Sequence, residues 1–254
     1  MSTLRLDPHV HSDASYDGHE PVELILEHAA DIGLDGVVIT DHDEIDASLR
    51  AARLAPDYGL VGVPGVEVST KHGHLLAIGV TECPDPGMGY RETADAVREL
   101  GGVAVAAHPF QRSRHGVKRR HLVPDEPSAD PPVDAVEVYN SMLFTGYRNR
   151  RARRFARARG LPGIGSSDAH YLMNVGRAYT EVEVPGPDAP ANVDYEAVVD
   201  AIRTGATAVD GGRTPVRRSA SQYAKGAVRK SVFTVTSRAP FVPAYPVSMR
   251  ELRG

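Results

Sequence analysis

The chain has 254 residues, 41% of them hydrophobic, and a net charge of −4, enough apolar matter for a sizeable core in one large domain or two small ones. Cys83 is the only cysteine, so an internal disulfide and a thiolate zinc finger are excluded, and any metal must rest on histidine and carboxylate. No window approaches the roughly 18 apolar residues of a membrane span, and the polar opening Met1-Ser2-Thr3 lacks an apolar leader core, so a soluble cytoplasmic protein with no membrane partner is expected. Charge is spread unevenly: residues 213–254 hold nine Lys or Arg against the one acid Glu251, leaving about −12 on the rest.

Short apolar runs alternate with helical patterns, the signature of βα units. Leu4 to Val10 reads as the first strand. Pro21 suits a helix start, and Val22, Ile25, Leu26, Ala29, Ala30 and Ile32 recur at helical spacing until Gly33. Asp35 to Thr40 is the second strand, followed by a helix over Ile45 to Ala55, strands near Leu60 to Val68 and His74 to Val80, a helix over Arg91 to Leu100 and a strand over Val103 to Ala107. Beyond a Pro-rich loop come strand Ala135 to Tyr139, an Arg-rich helix over Tyr147 to Arg159, strands Pro162 to Gly165 and Ala178 to Val184, and a last helix over Tyr195 to Thr204.

Candidate ligands fall at one place in this rhythm. His9 and His11, Asp41 and His42, Glu67, His108, and Asp168 with His170 each stand at a strand C-terminus or just beyond it, while His74 stands at a strand start. Residues i and i+2 of a strand share a face, so His9 and His11 can converge on one point. In parallel α/β barrels the C-terminal face collects catalytic residues. Taken singly these are weak signals: Asp43 and the Ser166-Ser167-Asp168 run are also ordinary helix caps. Caps do not explain why HxH, DH, E, H and DxH recur at the same structural position. Imidazole and carboxylate without thiolate suit Mn, Fe, Zn or Co, and bridging carboxylates permit a multinuclear site.

The segments DPHVHSDASYDG, GLDGVVITDHDEID, VPGVEVS, HLLAIG, AAHPF, VEVYN and GIGSSDAH, in that order over roughly residues 4–180, resemble the polymerase and histidinol phosphatase (PHP) family of metal-dependent phosphoesterases. VGRAYTEVE after SDAH resembles the PHP-associated C-terminal segment of small stand-alone members. The resemblance implies an α/β fold, a distorted seven-stranded (β/α)7 barrel over residues 1–212, with two to three divalent metals (Mn, Fe or Zn) at its mouth. It assigns His9, His11, Glu67 and Asp168 to the first metal, Glu67 with His74 and His108 to the second, and Asp17, His42 and His170 to the third, with Asp41 in support. His74 fits the HLLAIG pattern better than the nearby His72.

Clustered divalent metals suit phosphoryl transfer to water, and no GxSxG elbow, P-loop or placed cysteine offers a protein nucleophile. Attack by a metal-bridging hydroxide held by His9, His11, Glu67 and Asp168 is the expected mechanism. The loop after His108 supplies Arg112 and Arg114, with Lys118, Arg119 and Arg120 further on, as phosphate anchors, unless it is only a solvated basic loop. Asn140 at the end of VEVYN is a second candidate for substrate contact. The Arg-rich helix reads as a solvated outer face.

A nucleotide-like phosphomonoester is the expected substrate, since small PHP proteins resemble nucleoside 3',5'-bisphosphate phosphatases and 5'-3' exonucleases acting on short oligonucleotides. Histidinol phosphate, C–N hydrolysis on the same metals, or a non-catalytic metal-binding module are the alternatives. Residues 213–254 form a basic extension, around Arg217, Arg218, Lys225, Arg229 and Lys230, that reads as a disordered arm, a subunit contact or a nucleic-acid contact. Neither oligomeric state nor the metal's identity is legible.

Overall fold

The computed structural model describes residues 1–123, 131–142, 146–186, 189–215 and 217; the rest of the basic extension lies outside the described residues. Along the chain the elements are β1 (Ser2–Val10), α1 (Val22–Asp31), β2 (Gly36–Ile39), α2 (Asp46–Leu54), β3 (Gly65–Thr70), β4 (Gly73–Ile78), α3 (Tyr90–Glu99), β5 (Val103–Ala106), β6 (Ala135–Asn140), α4 (Tyr147–Arg159), β7 (Gly163–Ser166), β8 (Ala178–Val184), α5 (Tyr195–Thr204) and β9 (Thr207–Gly211). The bounds of α4, β8 and α5 match the spacing-based expectation, because each has a strong apolar stripe or alternation and a clear stop. Gly160 and Gly205 end the two helices in the left-handed conformation.

The expected closed ring of seven parallel strands is not what the hydrogen bonds form. Among the described residues there are two sheets, ordered β2-β1-β8-β9 and β3-β4-β5-β6-β7. Strand direction is mixed: β1–β2, β5–β6 and β6–β7 are parallel, whereas β1–β8, β8–β9, β3–β4 and β4–β5 are antiparallel. The turn between Thr70 and Gly73 is the physical reason in the larger sheet, because so short a connection cannot carry a crossover and forces an antiparallel hairpin. Between the sheets run isolated bridges, Val10 to Ala169, Gly36 to Val61 and His42 to Glu67.

One expected strand is shorter than its apolar run, and one strand was not expected. The strand expected from Leu60 begins only at Gly65, since Pro64 has no N–H for a ladder and Val61 makes a single bridge. β9, which the sequence reading did not assign, pairs along β8 from Thr207 to Gly211.

Alternation along the strands then explains where core and site lie. On β4, Leu76 and Ile78 join an apolar cluster with Val103 and Val105 of β5, Ala135 of β6 and Ile164 of β7, closed by Val198, Val199 and Ile202 of α5. The next position on the same face of β4 is His74, of β6 Glu137, and of β7 Ser166. On β1, Leu4 and Leu6 share that cluster, yet His9 and His11 have the opposite parity. An extra residue in β1 resolves this: Asp7 pairs with Val37 but Val10 with Ile39, so three steps on one strand match two on the other and the facing set switches.

Candidate metal centre

Glu67, buried on β3, is the hub. Its Oε1 lies 2.9 Å from His74 Nδ1 and 2.9 Å from His108 Nε2. Its Oε2 lies 3.3 Å from His9 Nε2, 3.4 Å from His11 Nε2 and 3.3 Å from His42 Nδ1. Five imidazoles from four segments therefore meet on one carboxylate. His74 belongs to the same mouth as the strand-end residues because β4 runs antiparallel to its neighbours, which turns its start to their C-terminal side. His72 instead stacks on His121, ring centroids 3.8 Å apart.

Asp168 Oδ1 stands 3.7 Å from both His9 Nε2 and His11 Nε2. Asp17 Oδ2 is 3.0 Å from His170 Nε2 and 3.5 Å from His42 Nε2. All nine residues expected to bind metal thus converge, and four overlapping groups among the described residues have donor atoms close enough to share an ion: His11 with Asp17, His42 and His170; His9 with His11 and Glu67; His9 with His108 and Asp168; His42 with Glu67 and His74.

The donor set fits divalent ions. The facing nitrogens of His9 and His11 lie 3.2 Å apart, an arrangement in which two imidazoles aim at one point. Ligand atoms held about 2.0–2.1 Å from an ion in a tetrahedral array lie about 3.4 Å from each other, close to the separations around Glu67 Oε2.

Protonation states in the metal-free cage divide: against burial, Asp168 and Glu67 lift His9 well above the usual histidine value. Burial and the neighbouring His170 push His11 down to about 3, and burial pushes His74 down to about 4, leaving free lone pairs. Although burial opposes it, Glu67 is held well below the usual carboxylate range by His74, His42 and His9, and Asp17 by His170 and His42. Burial alone would lower His42, yet Glu67 and Asp17 lift it to about 9.

Buried carboxylates behind the cage set its shape. Glu137, which the sequence reading passed over, meets His9 Nδ1 at 3.0 Å, accepts the His108 backbone N–H and accepts from Ser166 Oγ. The contact fixes the His9 tautomer so that Nε2 faces the mouth. The signal was present in VEVYN: an acid in the middle of an otherwise apolar strand. Asp7 accepts backbone N–H groups of Ser167 and Gly176 at 3.0 and 2.8 Å, tying β1 to the SSDAH loop, and burial pushes it up to about 6. Asp41 accepts from Ser12 N at 2.7 Å and from Ser12 Oγ, and burial pushes it up to about 7. It stands behind the ligand positions, holding the turn after His11.

His108 and Asp168 have φ values of 26° and 53°, in the left-handed region that non-glycine residues rarely adopt. The Glu137 contact holds the first. Asn140 Nδ2 at 2.8 Å and the paired nitrogens of Arg114 hold the second. Gly18 has a different role, since a Cβ there would lie 1.8 Å from the Ser12 carbonyl oxygen; only glycine lets the Asp17 loop close on His11.

The substrate candidates separate. Arg114 reaches the centre by its fork on Asp168. Arg112 is exposed and lines a cavity beside His74. Asn140, expected at the substrate, donates instead to Glu137 and Asp168 and accepts from Met142 N; its amide is directed into the frame of the cage. Thr214 is buried and meets Ser141 Oγ at 2.8 Å, so contacts with the body run past residue 212.

A mixed α/β scaffold that gathers imidazoles and carboxylates at one strand-end mouth defines a metal-dependent hydrolase. The model of the PHP domain matches residues 7–120, and that of the PHP-associated segment matches residues 146–207. An uncharacterized protein of Methanocaldococcus jannaschii, MJ1587, is 28% identical over 159 residues, 59% of this chain and 89% of that one. The phosphoribosyl 1,2-cyclic phosphate 1,2-diphosphodiesterase of Eggerthella lenta is 37% identical over 82 residues, 30% of this chain and 31% of that one. In fold, the chain is similar to a two-domain protein containing a predicted PHP-like metal-dependent phosphoesterase from Bacteroides vulgatus, with a TM-score of 0.64 at 21% identity over 88% of this chain and 70% of the other. The chain belongs to the PHP family of metal-dependent phosphoesterases. No helix among the described residues is long and apolar enough to cross a membrane.

Proposed function

We propose that residues 1–212 form a distorted barrel-like hydrolase unit that cleaves a nucleotide-like phosphomonoester, using two to three divalent ions of the Mn, Fe or Zn type. The observation that carries this reading is the meeting of five histidines on Glu67. His9, His11, Glu67 and Asp168 would hold one ion, Glu67 with His74 and His108 a second, and Asp17, His42 and His170 a third. Bound there, such ions lower the pKa of water and neutralise charge growing on phosphate oxygens.

The chain's own residues do the rest. Glu137 orients His9, and the Asp168 carbonyl, 3.0 Å from His170 Nδ1, orients His170 toward Asp17. Arg114, whose fork is held by Asp168, brings a guanidinium charge to the same mouth, suited to phosphate oxygens. The relatives support an ester of phosphate: the Eggerthella lenta protein is by its name a diphosphodiesterase of a phosphoribosyl compound.

Phosphate release by the Mn-loaded protein tests the reading on a nucleoside 3',5'-bisphosphate, a 5'-phosphorylated trinucleotide, histidinol phosphate and an aryl phosphate. Preference for either nucleotide is expected. Silence on all four with metal bound overturns it, and preference for histidinol phosphate overturns the nucleotide assignment.

A further inference from the structure

Beside His74 lies a cavity of about 520 Å³ between the β3–β4 turn and the loop that follows His108. Lys71 and His72 face it from the turn; Arg112, Lys118, Arg120 and His121 face it from the loop. No Asp or Glu is among the described residues that line it, although the chain outside residues 213–254 carries an excess of acid. Four Lys or Arg in one concave wall focus a positive field there.

The wall is built rather than incidental. The parallel rings of His72 and His121, 7° apart in plane, clamp the turn to the loop. Arg120 Nε donates to His121 Nε2 at 3.0 Å, which fixes one guanidinium at the rim. At the inner end His74 N donates to the His115 carbonyl at 3.0 Å, so the cavity begins at a residue that faces Glu67. Its volume suits a small-molecule group rather than a protein surface, and its charge suits a dianion better than a single carboxylate.

We propose that this cavity binds a second phosphate of the substrate, held by Lys118 and Arg120 while the scissile phosphate lies at the Glu67 centre. The assignment rests on the phosphoesterase reading above. The second phosphate comes from one of two sources, a small bisphosphate or the next phosphate of a short oligonucleotide.

Binding is measured first, independently of turnover, by calorimetric titration of the Mn-loaded protein with alkane-α,ω-bisphosphonates of three to six carbons and with the matching monophosphonates, whose C–P bonds are not hydrolysed. At least one bisphosphonate should bind about tenfold tighter than its monophosphonate. The Lys118→Ala/Arg120→Ala double variant, altered only at exposed positions, should lose that advantage and bind monophosphonate as before. Equal affinity at every length, or an advantage that survives in the variant, overturns the proposal even if the protein is an active phosphatase.

KM then separates the sources. A KM raised in the variant for adenosine 3',5'-bisphosphate but not for adenosine 5'-monophosphate assigns a small bisphosphate. A rise confined to the 5'-phosphorylated trinucleotide assigns the oligonucleotide, and no rise for either overturns the site.

Discussion

The two ends of the strand assembly make different use of one framework. At the end closed by α5, inward positions are Leu76, Ile78, Val103, Val105 and Ile164, fully buried and apolar. At the mouth, one pleat further along β4, β6 and β7, the same face presents His74, Glu137 and Ser166, also buried but polar. The closed end gains free energy from apolar burial. The mouth gathers buried charge that is costly unless paired, so the difference shows stability and chemistry segregated along single strands, two residues apart.

The strongest way to break this contrast is to remove the hub. Glu67→Gln should abolish metal retention and lower phosphate release by about a thousandfold, the several kcal/mol that metal assistance supplies, and it should lower the melting temperature of the metal-free protein at neutral pH, because the buried His9 and His42 lose the carboxylate that pairs them. Metal analysis with turnover checks it; retained metal and activity would separate Glu67 from the chemistry. The reciprocal change at the closed end is Ile202→Ala, which should cost about 2–5 kcal/mol of stability yet leave metal content per folded chain unchanged, as read by denaturant unfolding and metal analysis.

A smaller effect sharpens the boundary between the ends. Glu137→Gln should weaken metal affinity about 10–100-fold by loosening His9, without the loss of fold seen for Ile202→Ala; an unchanged affinity would make Glu137 purely structural. The mildest test is pH. In the metal-free protein His42 is lifted to about 9, so an ion must displace its proton, and affinity should rise by about tenfold per pH unit for each proton released until about pH 9. Calorimetry in buffers of different ionisation enthalpy counts those protons. The same raised value stabilises the metal-free fold below the ordinary histidine value of 6.5, and that contribution is lost as pH rises through about 9.

Much of this was legible along the chain. The nine residues that converge at the mouth were all named beforehand, seven by strand-end position and residue type, which are local properties, and Asp17 and His74 by the family's ordered motifs. Helices α4 and α5 were bounded to the residue by their apolar stripes and terminal glycines. Glu137 was missed because its role depends on which strand face meets His9, and Asn140 was placed at the substrate because a strand-end amide carries no mark of the carboxylates it will meet. His74 looked out of place because direction within a sheet is not written in one strand's own residues.

By itself, then, the sequence determined the residue types of the cage, the alternation of strand and helix, and the excess of cations in the loop after His108, since spacing and side-chain chemistry travel with the chain. Only the tertiary structure decided strand direction, the switch of face in β1, the convergence on Glu67 and the acid-free cavity beside His74. Each of these depends on pairing between segments far apart in sequence, where a hairpin turn or one extra residue in a strand changes which side chains meet.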